Sequence, residues 1–430
     1  MPRRLLLLFF ILFIAMIGFG VTLPALPFFV ERLALGDGVA ESTVAFHVGA
    51  LTSAYALTQL ACAPLWGWWA DQHGRKPLLV VGLGGFALAQ AVFGLGTSLS
   101  LLYGARLVGG ASSASLLTAS AAYVSDTLSS ARRGVGMAWR GTALNLGVVA
   151  GPLLSGLLAR RDWHVDLATG HFAFDGFSIP FFAASGLAVV ALPLVFVGLP
   201  ESLRAGEGTP QAAPVVSWRE IVRRLGDVLV LVLVSQALLA LFEAAFALYA
   251  GQVLAFSLAE VGYVFVVCGL VMAVFQGGAA GWLAGRVRTR SQVTIGFGLL
   301  GAGLAFLLMV ESVSVVLGAV GVLALGVALI DPSLLTLVAN RSGLYAGVGL
   351  GLQNAAGSLG QVIGPLLGGL LYAWRPGLPF QAAAGGAWAL ALLVWKAPAA
   401  PSSVWAENGS FELSDADRTH DSSSNTESTR

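Results

Sequence analysis

Charge is what this sequence has least of. Asp, Glu, Lys and Arg supply 10% of its 430 residues, against about 25% in soluble domains. Hydrophobic residues supply 57%, and the mean hydropathy is +0.83. A water-soluble globule cannot cover that much apolar surface with so few charges, which excludes ordinary cytosolic enzymes, nucleic-acid binders and secreted scaffolds. An excess of either sign is missing too, and a net charge of +1 gives no pull towards a polyanion. Cysteine is down to Cys62 and Cys268, both inside apolar runs, so neither a disulfide framework nor a metal-ligand spacing is available. The five histidines are scattered in loops or at the ends of apolar runs, and no G-x-x-x-x-G-K-[ST] loop is present for ATP. No catalytic set, cofactor or metal is expected.

Long apolar runs, by contrast, are abundant. A hydrocarbon core about 30 Å thick takes about 20 residues of helix. Twelve stretches qualify, at roughly 5–30, 44–69, 77–97, 99–125, 134–159, 177–199, 227–254, 261–284, 292–310, 313–340, 344–374 and 380–396. The runs are continuous rather than alternating, which favours helices over barrel strands. The first follows Arg3 and Arg4 as a signal peptide does, but it is too long for one and lacks a small-residue cleavage site, so it is read as a span. Glycine, at 55 residues, suits close helix approach in lipid.

Lys and Arg in the short loops set the orientation. One set of loops holds 14 of them, including Arg75, Lys76, Arg132, Arg133, Arg223 and Arg341; the opposite set holds Arg32, Arg160, Arg161 and Arg375 only. Both termini are therefore expected in the cytoplasm, with the chain in the plasma (inner) membrane. The longest connector, 200–226, contains Gly206, Gly208, Pro210 and Pro214 before a basic amphipathic stretch from Trp218. The expected fold class is all-α integral membrane, with twelve transmembrane helices in two pseudo-symmetric six-helix bundles. Residues 1–199 form the first bundle, 200–226 a cytoplasmic linker and 227–396 the second bundle. Residues 397–430, rich in Ser, Asp, Asn and Thr, read as a disordered cytoplasmic tail.

The two bundles read as copies. Gly147, Gly151-Pro152 and Gly156 in span 5 recur as Gly360, Gly364-Pro365 and Gly369 in span 11, 213 residues on. Gly67-Trp68-Trp69-Ala70-Asp71 recurs as Gly281-Trp282-Leu283-Ala284-Gly285 at an offset of 214. Two matches at nearly one spacing argue for duplication, and duplicated halves around a midplane site are a transporter architecture.

The loop after span 2 reads Gly67-Trp68-Trp69-Ala70-Asp71-Gln72-His73-Gly74-Arg75-Lys76-Pro77. Gly74 permits a tight turn, and Pro77 fits the first turn of a helix. This loop resembles the G-x-x-x-D-x-x-G-R-[KR] signature of the major facilitator superfamily. In that family the acid caps a helix of the other half and the arginine pairs with an acid at the end of span 4, where Asp126 stands here. The resemblance thus implies that Gly67, Asp71, Gly74, Arg75 and Asp126 form a conformational latch of the outward-facing state; the plainer alternative is topogenic charge. Gly147, Gly151, Pro152 and Gly156 resemble the antiporter signature of twelve-span drug:proton exporters, with Ser155 in place of a second terminal glycine. Generic small-residue packing is the alternative. The proline-rich Gly20 to Pro27 is similar to the start of the tetracycline-efflux type, although Ile14 to Gly18 carry no acid where several of those proteins have one.

Ionisable groups within spans carry the remaining signal. An arginine deep in a helix costs about 2.5–3.5 kcal/mol on insertion scales and faces a cavity or a partner. Arg106, followed by Gly110, matches the family's span-4 arginine, for which the resemblance implies proton coupling, although Gly109 stands where that family usually has glutamine; a structural hydrogen-bonding role is the alternative. Glu243, midway through span 7, is a lone carboxylate in lipid and is protonated or paired. With Asp331, ahead of Pro332 in span 10, it is a candidate for proton coupling or a counter-ion for a cationic substrate. Arg140, Asn145, Gln236, Gln276, Gln353 and Asn354 are candidates for the cavity wall, since polar groups facing lipid are unfavourable. Phe242 and Phe246 are candidate apolar wall residues, with packing as the alternative.

Together these point to a monomeric secondary transporter in the lipid bilayer that exports small amphipathic compounds against protons by alternating access. A metabolite or sugar facilitator or symporter on the same fold, or a receptor built on a transporter-like scaffold, are the alternatives.

Overall fold

Within each half most helices follow one another after only a few residues, as between His73 and Arg75 or Gly94 and Leu99. The protein is described as a computed structural model over residues 2–36, 41–158, 164–166, 173–202, 218–275, 287–342 and 346–396. Six helices occupy the first half: α1 (Arg3–Gly36), α2 (Glu41–His73), α3 (Arg75–Gly94), α4 (Leu99–Thr127), α5 (Ser130–Leu158) and α6 (Ile179–Gly198). Six more are α7 (Trp218–Gln252), α8 (Leu258–Val274), α9 (Thr289–Leu307), α10 (Val313–Ser342), α11 (Ala346–Trp374) and α12 (Leu378–Lys396). Eleven are long and apolar enough to cross a membrane, and α8, described over 17 residues, is the shorter one. One difference from the expected all-α chain lies between α5 and α6. There β1 (His164–Asp166) pairs antiparallel with β2 (Ala173–Asp175), His164 opposite Asp175. Three residues are too few to print a period-two pattern in the sequence. The 203–217 part of the linker, the tail from 397, Gln276 and the Gly281–Gly285 repeat lie outside the described residues.

Within the first half α1 packs on α5 and α6, and α4 on α2 and α3; within the second, α7 packs on α11, and α9 on α10 and α12. Leu12, Leu83, Phe86, Leu116 and Tyr123 are fully or almost fully buried in one apolar core of the first half. The two halves meet mainly through α2 on α11 and α5 on α8.

Glycine decides both kinds of contact, and the repeated motif does so twice. On α5, a Cβ at Gly147 would lie 2.6 Å from Met16 Cβ, and one at Gly151 2.5 Å from Gly20 Cα, so both face α1. On α11, Gly360 and Gly364 face α7 in the same way, with Ala237 N and Ala237 Cα at 2.9 and 3.0 Å. The last glycine of each motif looks across the halves instead. A Cβ at Gly156 would lie 3.2 Å from Ala259 Cα of α8, and one at Gly369 3.1 Å from Ala45 C of α2. Gly262 of α8 sits over the carbonyl of Pro152, and Gly49 of α2 over that of Pro365.

Two hydrogen bonds add to this seam. Ser53 Oγ donates to Val362 O at 2.6 Å, and Gln252 Nε2 to Glu31 Oε1 at 2.9 Å. All these contacts lie from mid-helix to the end opposite Arg75. Towards the Arg75 end, Leu65, Trp68, Asn145 and Asn354 are exposed instead.

Candidate functional site

Below the seam, the halves part around two adjoining cavities. The first is lined by Phe19, Thr22, Leu23, Leu26 and Pro27 of α1, by Thr52 and Tyr55 of α2, by Arg106 of α4 and by Glu243 of α7. The second is lined by Asn145 and Pro152 of α5, by Phe265, Cys268 and Met272 of α8, and again by Glu243. Pro24 and Pro27 lie inside α1, where a missing N–H and the ring break the regular ladder and shape a wall. Gly110 lets α4 come close to the backbone of Tyr55, where a Cβ would lie 3.1 Å from Tyr55 C, and this sets Arg106 beside the Tyr55 ring.

The Arg106 side chain is buried, 8% exposed. Its guanidinium carbon lies 5.1 Å from the Phe93 ring centre and 5.6 Å from that of Tyr55, within cation–π range. Among the described residues it has neither a hydrogen bond nor an ion pair, and its Nε is buried without a partner. Glu243 likewise has no ion pair among the described residues. Both side chains line one chamber from opposite halves, and the structure therefore brings together two residues selected separately in the sequence.

Asp331 stands elsewhere, in a polar cluster of the second half. Gln236 Nε2 donates to Asp331 Oδ1 at 3.3 Å, and Gln361 Nε2 to Gln236 Oε1 at 3.4 Å. Arg140 joins α5 to α4, with Nε donating to Ser120 Oγ at 2.9 Å and an Nη to Leu117 O at 2.8 Å. Gln353 keeps a buried Oε1 without a partner among the described residues, and Asn354 is exposed. Phe242 and Phe246 correct the expectation of an apolar cavity wall. Both are fully buried, with ring centres 5.2 Å apart and Phe265 at 6.4 and 5.8 Å from them. Neighbours on a helix point about 100° apart, so turning Glu243 to the cavity turns Phe242 into the packing. Phe19 and Phe265 supply aromatic wall instead.

A second constellation sits at the α2–α3 turn. Gly74 has φ +97°, a region open to glycine at little cost. Arg75, 8% exposed, donates through Nε to Asp126 Oδ2 at 2.9 Å and through an Nη to Ala70 O, and pairs with Asp71 at 3.1 Å. Asp71 itself is 73% exposed. Glu201 accepts from the backbone N–H groups of Arg75 and Lys76, capping α3, and Ser202 Oγ donates to Asp126 Oδ2 at 3.1 Å. Sequence reading missed Glu201; its place in Pro200-Glu201-Ser202, directly after α6, is the signal that could have found it. A Cβ at Gly67 would lie 3.8 Å from Thr118 Cγ2 on α4, an ordinary contact distance.

Comparison with known proteins agrees with this architecture. The Major Facilitator Superfamily model matches residues 8–354 and, in a second match, 228–419. The chain is 28% identical over 377 residues to multidrug resistance protein 2 of Bacillus subtilis, covering 86% of this chain and 88% of that one. It is 27% identical over 365 residues to the class B tetracycline resistance protein of Escherichia coli, covering 83% and 85%. Among solved structures, a bacterial homologue of the human lysosomal transporter Spinster, in an inward-facing and unoccupied conformation, superposes with a TM-score of 0.69 at 14% identity. The match covers 91% of this chain and 95% of that one. With its helices, its glycine seams and a family match across most of its length, the chain belongs to the Major Facilitator Superfamily of membrane transporters.

Proposed function

We propose that this protein is a proton-coupled exporter of small amphipathic compounds, acting as a monomer in the plasma membrane with both termini in the cytoplasm. The observation that carries the reading is Glu243: a carboxylate in mid-helix that lines both cavities between the halves. Its position suits a group that takes a proton and a cationic substrate in turn. The names of the multidrug and tetracycline resistance relatives support the substrate class. With the Arg-rich loops inside, the glycine seam lies at the outer end, and the conformation is inward-facing. Rocking of 1–199 against 227–396 about that seam supplies alternating access.

In this reading Asp331, held by Gln236, is a second proton carrier. The exposed Asp71 is a latch element released in the inward-facing state, and Arg75, Asp126 and Glu201 hold its frame. Gly147, Gly151, Pro152 and Gly156 give α5 a smooth face for the antiport cycle. A proton entering down a 100 mV potential supplies about 2.3 kcal/mol, enough for roughly a fiftyfold gradient.

Everted vesicles test this. A fluorescent cationic dye accumulates when the membrane is energised and leaves on adding an uncoupler. Glu243→Gln abolishes the response while the protein is still made and inserted. Sugar or carboxylate uptake by whole cells, with no dye response, overturns the export reading.

A further inference from the structure

We infer that Arg106 is an anion subsite and that the central cavity is built for zwitterionic amphiphiles, whose carboxylate docks on Arg106 while their amine docks on Glu243. This deepens the export reading and rests on it. A guanidinium buried in a low-dielectric wall is unfavourable until an anion or hydrogen-bond acceptor meets it. Arg106 has neither among the described residues, and its Nε has no partner at all there. What it has are two aromatic faces, Tyr55 and Phe93, which hold the cation in place and leave its donors unused. The nearest candidate anion in the same chamber is Glu243, on the opposite half, and no ion pair joins the two.

The missing partner for each charge must come from what enters the chamber. A cation alone satisfies Glu243 and leaves Arg106 bare. A solute carrying both charges satisfies both, and it links the two halves that move. The wall between the charges is apolar and aromatic, with Phe19, Leu23 and Leu26 facing the chamber. That suits a hydrophobic body bearing its charges at the rim, and a guanidinium is well shaped to grip a planar carboxylate through paired N–H groups.

The test uses the purified full-length protein in lipid nanodiscs and four fluorescent probes. Nε-dansyl-lysine carries both charges, and dansylcadaverine is the same skeleton without the carboxylate. A fluoroquinolone with a free piperazine amine carries its charges further apart, and its methyl ester lacks the anion. The expected result is that at least one zwitterion binds about tenfold more tightly than its carboxylate-free counterpart, the scale of a charge-assisted hydrogen bond. Arg106→Gln should remove that preference by weakening the zwitterion to the level of its counterpart. Arg106→Lys should keep part of it. Equal or weaker binding of both zwitterions in the unaltered protein overturns the inference and needs no variant. A loss in Arg106→Gln that is the same for both members of a pair also overturns it, since that is a packing effect. If the two carboxylate-free cations bind and show no preference for added carboxylate, the anion subsite alone fails. If no probe binds and none is transported, the export reading fails with it.

Discussion

Glu201 closes the turn at Arg75 from 126 residues away, its two carboxylate oxygens accepting the backbone N–H groups of Arg75 at 2.8 Å and Lys76 at 3.1 Å. The first amides of a helix have no partner within it, and a carboxylate there also meets the positive end of the helix dipole. One acid from the end of α6 thereby ties the start of α3 to Asp126 of α4 through Arg75 and Ser202.

Gly74→Ala tests this turn. A Cβ there would fall against the Glu201 carboxylate, 2.6 Å from its Cδ, at a φ of +97°. Left-handed backbone costs a non-glycine residue about 1–2 kcal/mol. The variant is expected to unfold at lower temperature in detergent than the unaltered protein, with Glu201→Ala falling in the same direction. An unchanged midpoint in both removes the cap from the account.

Asp71→Asn tests the other member of the turn. Its side chain is 73% exposed here and, among the described residues, pairs with Arg75, so stability in this state is expected to stay within about 0.5 kcal/mol, as for surface changes. Turnover is expected to fall several-fold, with substrate affinity within about twofold. Affinity falling with turnover unchanged contradicts the latch.

Gly49→Leu and Gly369→Leu test the seam between the halves. Both glycines meet backbone of the opposite half, Gly49 at Pro365 and Gly369 at Ala45. A leucine cannot fit without parting α2 from α11, and overpacking of this kind costs about 1–3 kcal/mol. The expected outcome is a population shift towards the state open at that end. Spin-label distances across Ala45 and Leu370 would lengthen, and transport would drop by more than about tenfold. Full transport in both variants contradicts the seam as a moving contact.

Asp331 separates structural from functional roles through two substitutions. Asn keeps an acceptor for Gln236 Nε2, now at 3.3 Å from Asp331 Oδ1, but cannot change charge. Leu leaves Gln236 short of a partner, at about 1–3 kcal/mol. Asp331→Asn is expected to fold normally and lose proton-driven dye uptake, while Asp331→Leu loses stability as well. Normal coupling in Asp331→Asn assigns the residue to packing alone.

The number of helices was legible in the sequence because lipid demands long apolar runs, and hydropathy registers them directly, while their limits were less so: α7 begins at Trp218, inside the expected linker. The repeat was legible as well, and its glycines occupy equivalent contacts in α5 and α11. Facing directions were harder to read. On α7, Phe242 and Glu243 are neighbours in sequence, and only the packing against Phe265 decides which of them meets the cavity. The placement of Arg106 and Glu243 in one chamber was invisible, since 137 positions separate them and nothing local couples their helices. Glu201 went unnoticed because a cap supplied by a distant acid leaves no pattern near the helix it closes.

The seam built on Gly156, Gly262, Gly49 and Gly369 has a kinetic corollary. When it separates, water meets helix backbone whose amides are already satisfied along the helix, and few broken polar bonds are left behind. Dissolved ions weaken attraction between exposed charges but not steric fit. Raising ionic strength is therefore predicted to perturb the half-cycle governed by the exposed Asp71 and to leave the opening of the glycine-lined mouth nearly untouched.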